Sequence, residues 1–392
     1  MKESQITITT PPIFRCPISL DLFQDPVTLC TGQTYDRSSI EKWLSLGNLT
    51  CPVTMQKLHD LSIIPNHTLR HLIHQWLLQI HQFDPFSASL SSLKHTLQSN
   101  ESTLHNKLQA LEEINALSDE YCFFNKSCFL QLGFLPLLLE QVLDSQNPIS
   151  FTELALSCVV KLLPLGFLHP LDILKEESRF QKFLLLFEKG TISIKTSLCH
   201  VIDSSSSSSS SSEEVCSKLG SSQKLVNEIL LLLHHQNCEA SAIKAISALC
   251  SCESNMENLV RAGAIEEIIM KISGSERRKD ENLGVLGMSI VEKLVGLNSG
   301  KEGLVKSPRS IKGLVKMVFS FKACDNSSEE CSEIAVGLLL RMCEEEEDEN
   351  GREEAIDGGI VTQLLLLLQS QCSNTTKAKA RKLLKLITSK WV

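Results

Sequence analysis

Residues 13–20 read Ile-Phe-Arg-Cys-Pro-Ile-Ser-Leu and residues 51–54 read Cys-Pro-Val-Thr, on either side of a single tryptophan at position 43. A structural zinc module on this spacing needs Cys-x-x-Cys at each end. Ser19 and Thr54 stand at the second positions instead. Cys16, Cys30 and Cys51 are too few for two four-ligand sites. The sequence therefore predicts a module without metal, held by hydrogen bonds, ion pairs and a small core.

The region around these motifs has a mixed pattern of turns and short apolar runs. Six of the 12 prolines fall in the first 65 residues, which predicts short strands and loops around one helix. Asp36 is the predicted N-cap of that helix, Ser38 and Glu41 have capping-box spacing, and Gly47 is placed to end it. A second helix is predicted to start after Asn66, a favourable capping residue.

From about residue 68 onward the apolar residues recur with the helical period of 3.6. Gly133, Gly263 and Gly359 each end a short apolar helix, and a helix rich in leucine or isoleucine follows at once. Their separations, 263 − 133 = 130 and 359 − 263 = 96, correspond to about three and two units of 40–50 residues. That period is typical of armadillo and HEAT arrays, in which stacked units bury their apolar faces against each other.

Two low-complexity stretches interrupt this array. The serine run at residues 204–212 predicts a flexible loop, because it has no apolar side chain to bury. The acidic run at residues 344–349 predicts a solvated connection between helices.

Composition limits the classes of function. The chain has 392 residues with a formal charge of −8, so no general attraction to nucleic acid is expected. No apolar run approaches the ~18 residues of a membrane span, and the first ten residues lack the apolar stretch of a secretory signal. The 15 cysteines mostly sit singly in helical patterns, which predicts reduced thiols in the cytosol or nucleus. No phosphate loop, nucleophile elbow or zinc-protease helix is present, so no catalytic residue or cofactor is expected.

Together, five motifs resemble the U-box of plant ubiquitin ligases; they occupy residues 13–20, 25–27, 31–37, 40–43 and 64–69. A U-box followed by armadillo-like repeats is the layout of a large plant group, and residues 359–365 and 379–391 are also similar to that group. The chain is thus identified as a member of the plant U-box family. The implied fold is a small α+β zinc-free RING-like U-box followed by an all-α armadillo-like superhelical solenoid.

The resemblance also divides the chain into segments. The expected order is a disordered terminus (1–10), the U-box (11–85), the N-terminal part of the repeats (86–203), the serine-rich loop (204–212) and the C-terminal part of the repeats (213–392).

The resemblance implies a scaffolding E3 ubiquitin ligase. Such a protein recruits a ubiquitin-conjugating enzyme charged with ubiquitin and promotes transfer to lysines of a substrate held by the repeats. It forms no covalent intermediate, so the gain comes from proximity and orientation. Plant relatives act in immune and stress signalling, and the expected location is cytoplasmic, with nuclear or peripheral plasma-membrane pools as further options.

The family pattern places the groove for the conjugating enzyme on Ile18, Trp43 and Pro52. The residues alone favour a core position for Trp43, because Ile40 and Leu44 share its helix face. The remaining assignments are structural: Cys16 and Cys51 support the loops, and Val27 and Tyr35 are expected in the core.

One position departs from the family pattern. Many active U-boxes carry arginine or lysine just after the second loop, where it hydrogen-bonds both ubiquitin and the conjugating enzyme. Met55 occupies that position here, and Lys57 starts two residues away. Losing a charge-assisted hydrogen bond costs about 1.5–3 kcal/mol.

Two other classes of function compete with a ligase. An armadillo-repeat adaptor with weak or no ligase activity is the alternative that Met55 favours. A nuclear import receptor needs repeated tryptophans along its groove, but the tryptophans are Trp43, Trp76 and Trp391, none within the body of the array.

Overall fold

The computed structural model describes residues 11–81, 85–119, 128–130, 132–144, 146–163, 170–204, 210–274, 281–319, 326–344 and 349–388. The predicted disordered terminus (1–10), most of the serine and acidic runs (205–209 and 345–348) and Trp391 lie outside these residues. The chain divides into two compact units, residues 1–137 and 138–392. Within the described residues, no helix combines the length and apolar character needed to cross a membrane.

The N-terminal unit contains a small antiparallel sheet. Its strands are β1 (Pro26–Thr28), β2 (Thr34–Asp36) and β3 (Ile64–Pro65), in the order β2-β1-β3. Val27 pairs with Tyr35 across the hairpin, and Thr28 pairs with Ile64 on the other side. Gly32, with φ of +78°, makes the turn between β1 and β2, a conformation that glycine adopts without steric cost.

Helix α1 (Arg37–Ser45) follows β2 without a loop. It ends as predicted at Gly47, which has φ of +82° and donates its N–H to the Leu44 carbonyl at 2.9 Å. The predicted capping box is wrong. Asp36 is the N-cap residue, but its side chain caps no N–H of α1. The Ser38 hydroxyl donates to one oxygen of the Asp36 carboxylate instead. The other oxygen accepts backbone N–H groups of the preceding loop.

Helix α2 (His67–His81) starts where the sequence predicts, since the Asn66 side chain accepts the N–H of Leu69 at 2.9 Å. Ile73 of α2 is buried, whereas its apolar neighbour Leu72 is 46% exposed. The core beneath the sheet, α1 and α2 is made by nine buried residues, namely Cys16, Phe23, Val27, Leu29, Tyr35, Ile40, Cys51, Leu58 and Ile73.

The remaining described helices share one pattern of short, repeated elements. They are α3 (Pro85–Gln98), α4 (Leu104–Asp119), α5 (Phe134–Leu143), α6 (Ile149–Leu162), α7 (Glu177–Lys189), α8 (Ile192–Asp203), α9 (Ser210–Ser221), α10 (Gln223–Leu232), α11 (Glu239–Leu249), α12 (Glu253–Arg261), α13 (Ala264–Gly274), α14 (Glu281–Val295), α15 (Asn298–Val305), α16 (Pro308–Val318), α17 (Asn326–Glu344), α18 (Glu349–Asp357), α19 (Ile360–Gln369) and α20 (Asn374–Thr388).

In the C-terminal unit, helices three positions apart in order pack side by side. The longest stack runs through α8, α11, α14, α17 and α20, with α6 packed against α8. A second stack pairs α13 with α16 and α16 with α19, and a third runs through α9, α12 and α15. The repeats are therefore the helix triplets α9–α11, α12–α14, α15–α17 and α18–α20. Each triplet buries its apolar stripes against its neighbours, as the repeat pattern of the sequence predicts.

The three glycines singled out in the sequence share one backbone conformation. Gly133, Gly263 and Gly359 have φ of +73°, +83° and +84°, and each lies directly before a helix, α5, α13 or α19. The serine-rich segment differs from the expected loop at its end, because α9 already begins at Ser210. Ser204 is the C-cap of α8, so the connection between the two helices is shorter than the serine run.

We expect opposite effects from the same substitution at two glycines. Gly263 has room for a Cβ but a left-handed backbone, so Gly263→Ala should destabilise the array by about 1 kcal/mol. Gly303 lies in α15 with equal room and no positive φ, so Gly303→Ala should stabilise it by about 0.5–1 kcal/mol. Thermal unfolding of the two variants measures this difference, and shifts of the same sign would contradict it.

Candidate partner-binding site

Two loops of the N-terminal unit have the same internal structure. In residues 16–21 the Leu20 N–H donates to the Cys16 carbonyl at 2.8 Å, and in residues 51–56 the Met55 N–H donates to the Cys51 carbonyl at 2.8 Å. Leu20 and Met55 both have positive φ, 63° and 57°. The similar pattern Cys-Pro-x-(Ser/Thr) at residues 16–19 and 51–54 thus encodes one turn twice.

The two loops meet at strand β2 through their cysteine sulfurs. The Asp36 backbone N–H donates to Cys16 Sγ at 3.2 Å. The Tyr35 hydroxyl lies 2.9 Å from Cys51 Sγ and accepts the Val53 N–H at 3.1 Å. Because Tyr35 and Asp36 are adjacent in the chain, these contacts bring the loops together. All four of the predicted structural residues, Cys16, Val27, Tyr35 and Cys51, are fully buried.

Hydrogen bonds to sulfur set the protonation of the second cysteine. Burial opposes ionisation of Cys51, but hydrogen bonds from Thr31, Thr54 and Tyr35 outweigh burial and lower the pKa of the thiol to about 6. Burial, followed by the hydrogen bond with Cys51, raises the pKa of the Tyr35 hydroxyl. Since the Tyr35 oxygen already accepts the Val53 N–H, its proton is free to point at the sulfur.

Carboxylates hold the loop that precedes β1. The Asp36 carboxylate accepts the N–H groups of Gln24 and Asp25 at 2.7 and 2.8 Å. The Asp25 carboxylate in turn binds Arg37 Nε at 2.6 Å and the guanidinium of Arg70. These contacts join the starts of β1, α1 and α2. Across the described residues, no three histidine, cysteine or acidic side chains converge as metal ligands would.

Trp43 of α1 is connected to the second loop. Its indole Nε1 donates to the Thr50 carbonyl at 2.9 Å, directly before Cys51 and Pro52. The ring is half-buried and packs on the core, and Pro52 is half-buried as well. The third predicted groove residue, Ile18, lies on the first loop with 36% of its surface exposed. Trp43 therefore lies at the boundary between core and surface.

Sequence reasoning missed two further members of this surface. Leu20 is 67% exposed and Val53 is 52% exposed, on the first and second loops. Met55 is 67% exposed beside Val53. The signal was available, because both loops have apolar residues at the second and fourth positions after cysteine. An exposed apolar surface on two rigid loops beside a tryptophan is suited to binding another protein.

Comparison with known proteins shows the family of this chain. The model of the U-box domain matches residues 10–82, and the model of the plant U-box protein ARM repeat region matches residues 90–392. U-box domain-containing protein 25 of Arabidopsis thaliana is 32% identical, over 98% of this chain and 92% of its own. E3 ubiquitin-protein ligase PUB22 of the same plant is 28% identical, over 98% and 95%.

A solved structure from work on a phosphorylation switch that controls the interaction between cadherin and beta-catenin supports the repeat fold. It aligns with a TM-score of 0.60 at 14% identity, over 82% of this chain and 59% of its own. The class defined by the fold and the loops is a U-box joined to armadillo repeats, a RING-type E3 ubiquitin transferase. The chain belongs to the plant U-box family, as the sequence motifs indicate.

We expect the stability of the U-box to depend on pH through Cys51. A thiol with a pKa of about 6 in the folded state, below the ordinary value of 9.0, stabilises the fold above pH 9. That contribution is lost as the pH falls from 9 through 6. The thermal midpoint, followed by tryptophan fluorescence, should therefore be higher at pH 8.5 than at pH 6.5.

The Cys51→Ser variant provides the control, because its hydroxyl does not titrate in this range. It should lose this part of the pH dependence. An identical pH profile for both proteins would show that Cys51 is not a thiolate in the folded U-box.

Proposed function

We propose that the surface formed by residues 16–21, residues 51–56 and Trp43 binds a ubiquitin-charged conjugating enzyme, and that the chain promotes ubiquitin transfer to substrate lysines. The observation that supports this most is the pair of rigid, equivalent loops whose apolar residues are exposed beside Trp43. No nucleophile is required, because such a scaffold acts by holding the thioester close to the acceptor.

The same proposal assigns substrate binding to the repeats. Five successive helices of the long stack, α6, α8, α11, α14 and α17, each have a half-buried residue flanked on both sides by two buried ones. These residues are Ser157, His200, Ser247, Ser289 and Gly337. Because four of them are small, an extended substrate segment could approach the helix backbones along this row. Lys244 and Lys293 are exposed on the same helices and could contact its carboxylates.

The family context extends the proposal to biology. Named relatives such as PUB22 and PUB23 are E3 ubiquitin-protein ligases of Arabidopsis thaliana. We place this chain in plant defence or stress response, acting in the cytoplasm, with the nucleus or the plasma-membrane periphery as further locations. We propose for it the domain boundaries of the sequence analysis, with the U-box at residues 11–85, except that the C-terminal part of the repeats begins at Ser210, where α9 starts.

The first experiment concerns the groove. We expect Trp43→Ala to weaken binding of a conjugating enzyme by about 2–4 kcal/mol, because a large aromatic anchor is lost. Ile18→Asp should do the same without a change in thermal midpoint, since Ile18 lies at the surface. Titration by calorimetry, together with an autoubiquitination assay, measures both effects.

The matched control is Leu61→Asp, which changes an apolar residue of 48% exposure outside both loops. It should leave binding and autoubiquitination intact. Undiminished autoubiquitination in Trp43→Ala and Ile18→Asp would refute the groove.

The second experiment concerns Met55. Its side chain is 67% exposed and its backbone is already left-handed, so arginine fits there with little added strain. Met55→Arg should speed ubiquitin discharge from a charged conjugating enzyme by roughly tenfold to a hundredfold, through a charge-assisted hydrogen bond made in the transition state. Single-turnover discharge to free lysine measures this rate.

Leu20→Arg places the same side chain on the equivalent backbone of the first loop, and it should give no acceleration. If the natural protein gives no discharge above the conjugating enzyme alone while Met55→Arg does, the adaptor function is favoured over the ligase. An unchanged rate in Met55→Arg would show that position 55 has no such role.

A further inference from the structure

The last repeat, α18–α20, has one side against the preceding repeat and one side that no described element covers. On the covered side, α20 contacts α17 through ion pairs. Lys379 Nζ lies 2.7 Å from the Glu333 carboxylate, and Lys382 pairs with Glu344. Thr376, Ala380, Leu383 and Ile387 form the buried stripe of α20. With 100° per residue, these positions fix which side of α20 points away from the array.

The opposite side of α20 is cationic. Lys377, Arg381 and Lys385 follow each other at four-residue spacing, so they lie on one face. In the part of the chain that the structure describes, none of them forms an ion pair, whereas Lys379 and Lys382 do. The side of α19 that points away from the preceding repeat is apolar. It consists of Val361, Leu365 and Leu368, of which Leu365 is 47% exposed and the other two are half-buried. Counted from Gly263 and Gly359, Leu365 holds the position of Ile269 in α13, and Ile269 lies against Gly313 of the next repeat.

We call these six residues the terminal face: Val361, Leu365, Leu368, Lys377, Arg381 and Lys385. Its charge is opposite to that of the surface that most internal repeats present to the repeat that follows them. Where repeats meet, the earlier repeat usually offers a glutamate and the later one a cation. Examples are Glu188–Lys224, Glu239–Lys271, Glu266–Arg309 and Glu292–Arg341, at 3.4, 2.9, 3.8 and 3.0 Å. Lys195–Glu228, His234–Glu267 and Lys312–Glu354 run the other way.

This reversal of charge limits what can cover the terminal face. A further repeat of the same kind, such as one from a second copy, would bring cations toward three cations. An anionic partner would meet complementary charge. In the apolar row only Leu365 is exposed, whereas a bilayer anchor needs several protruding apolar residues. A helix fits such a row, because each internal repeat receives helices of the next in the same way.

We propose that the terminal face binds an acidic amphipathic helix of a partner protein. The apolar stripe of that helix packs on Val361, Leu365 and Leu368. Carboxylates along one edge of the helix pair with Lys377, Arg381 and Lys385, which span about 12 Å along α20. This interaction is separate from conjugating-enzyme binding and does not depend on ubiquitin transfer.

The probe is a fluorescent 18-residue peptide with leucines at helical spacing and glutamates along one edge, and a second peptide with lysine in place of each glutamate. Fluorescence anisotropy with the full chain should show saturable binding of the glutamate peptide that weakens with salt. The double variant Arg381→Glu/Lys385→Glu should weaken it by about tenfold or more, since charge reversal replaces attraction with repulsion.

Two controls keep the result specific. Lys189→Glu/Lys316→Glu makes the same change in net charge at exposed positions of α7 and α16, and it should bind as the natural chain does. Leu365→Asp should weaken binding through the apolar row. Absence of binding, equal binding of the lysine peptide, or full binding by Arg381→Glu/Lys385→Glu would overturn the proposal. Binding to phosphatidylserine vesicles lost in that variant, without peptide binding, would identify a membrane as the occupant and also overturn it.

Discussion

Strand β2 holds the two loops of the U-box together through hydrogen bonds. Two adjacent residues of this strand bond to one loop each. Tyr35 bonds to the sulfur of Cys51 in the second loop, and the Asp36 N–H bonds to the sulfur of Cys16 in the first. The Asp36 carboxylate also fixes the chain before β1. Sulfur, hydroxyl and carboxylate contacts, fully buried or half-buried, thus position both loops and the chain before β1.

This arrangement explains why a small module can present apolar side chains to solvent and stay folded. Loop residues such as Leu20 and Met55 are held by backbone hydrogen bonds inside their own loops, so their side chains are not needed for the core. They are available for a partner. Trp43 links the two roles, because its ring packs on the core while its indole N–H fixes the base of the second loop.

The repeats follow a different principle, in which each element depends on the next. Glycines with positive φ turn the chain sharply before α13 and α19, and the following helices pack into continuous stacks. Buried aliphatic side chains supply most of the cohesion, and glutamate–cation pairs fix how neighbouring repeats meet. The last repeat retains the apolar row, and α20 adds Lys377, Arg381 and Lys385 to it, so the chemistry of this side differs from that of the internal ones.

Much of the fold was accessible from residue types alone. Gly47, Gly133, Gly263 and Gly359 end helices because only glycine adopts the left-handed conformation without cost, and Asn66 starts α2 because its side chain accepts a backbone N–H. These features are local, and local chemistry is written directly in the sequence.

Other features depend on contacts between residues far apart in the chain, and only the tertiary structure decided them. Asp36 has the right type and position to cap α1, but its carboxylate is drawn to Gln24 and Asp25, 11 or 12 residues earlier. The lowered pKa of Cys51 depends in part on such contacts, because two of the three hydroxyls that bond its sulfur, those of Thr31 and Tyr35, lie 20 and 16 residues away in the chain. The sequence determined which elements form; competition among their polar groups in three dimensions determined what each side chain does.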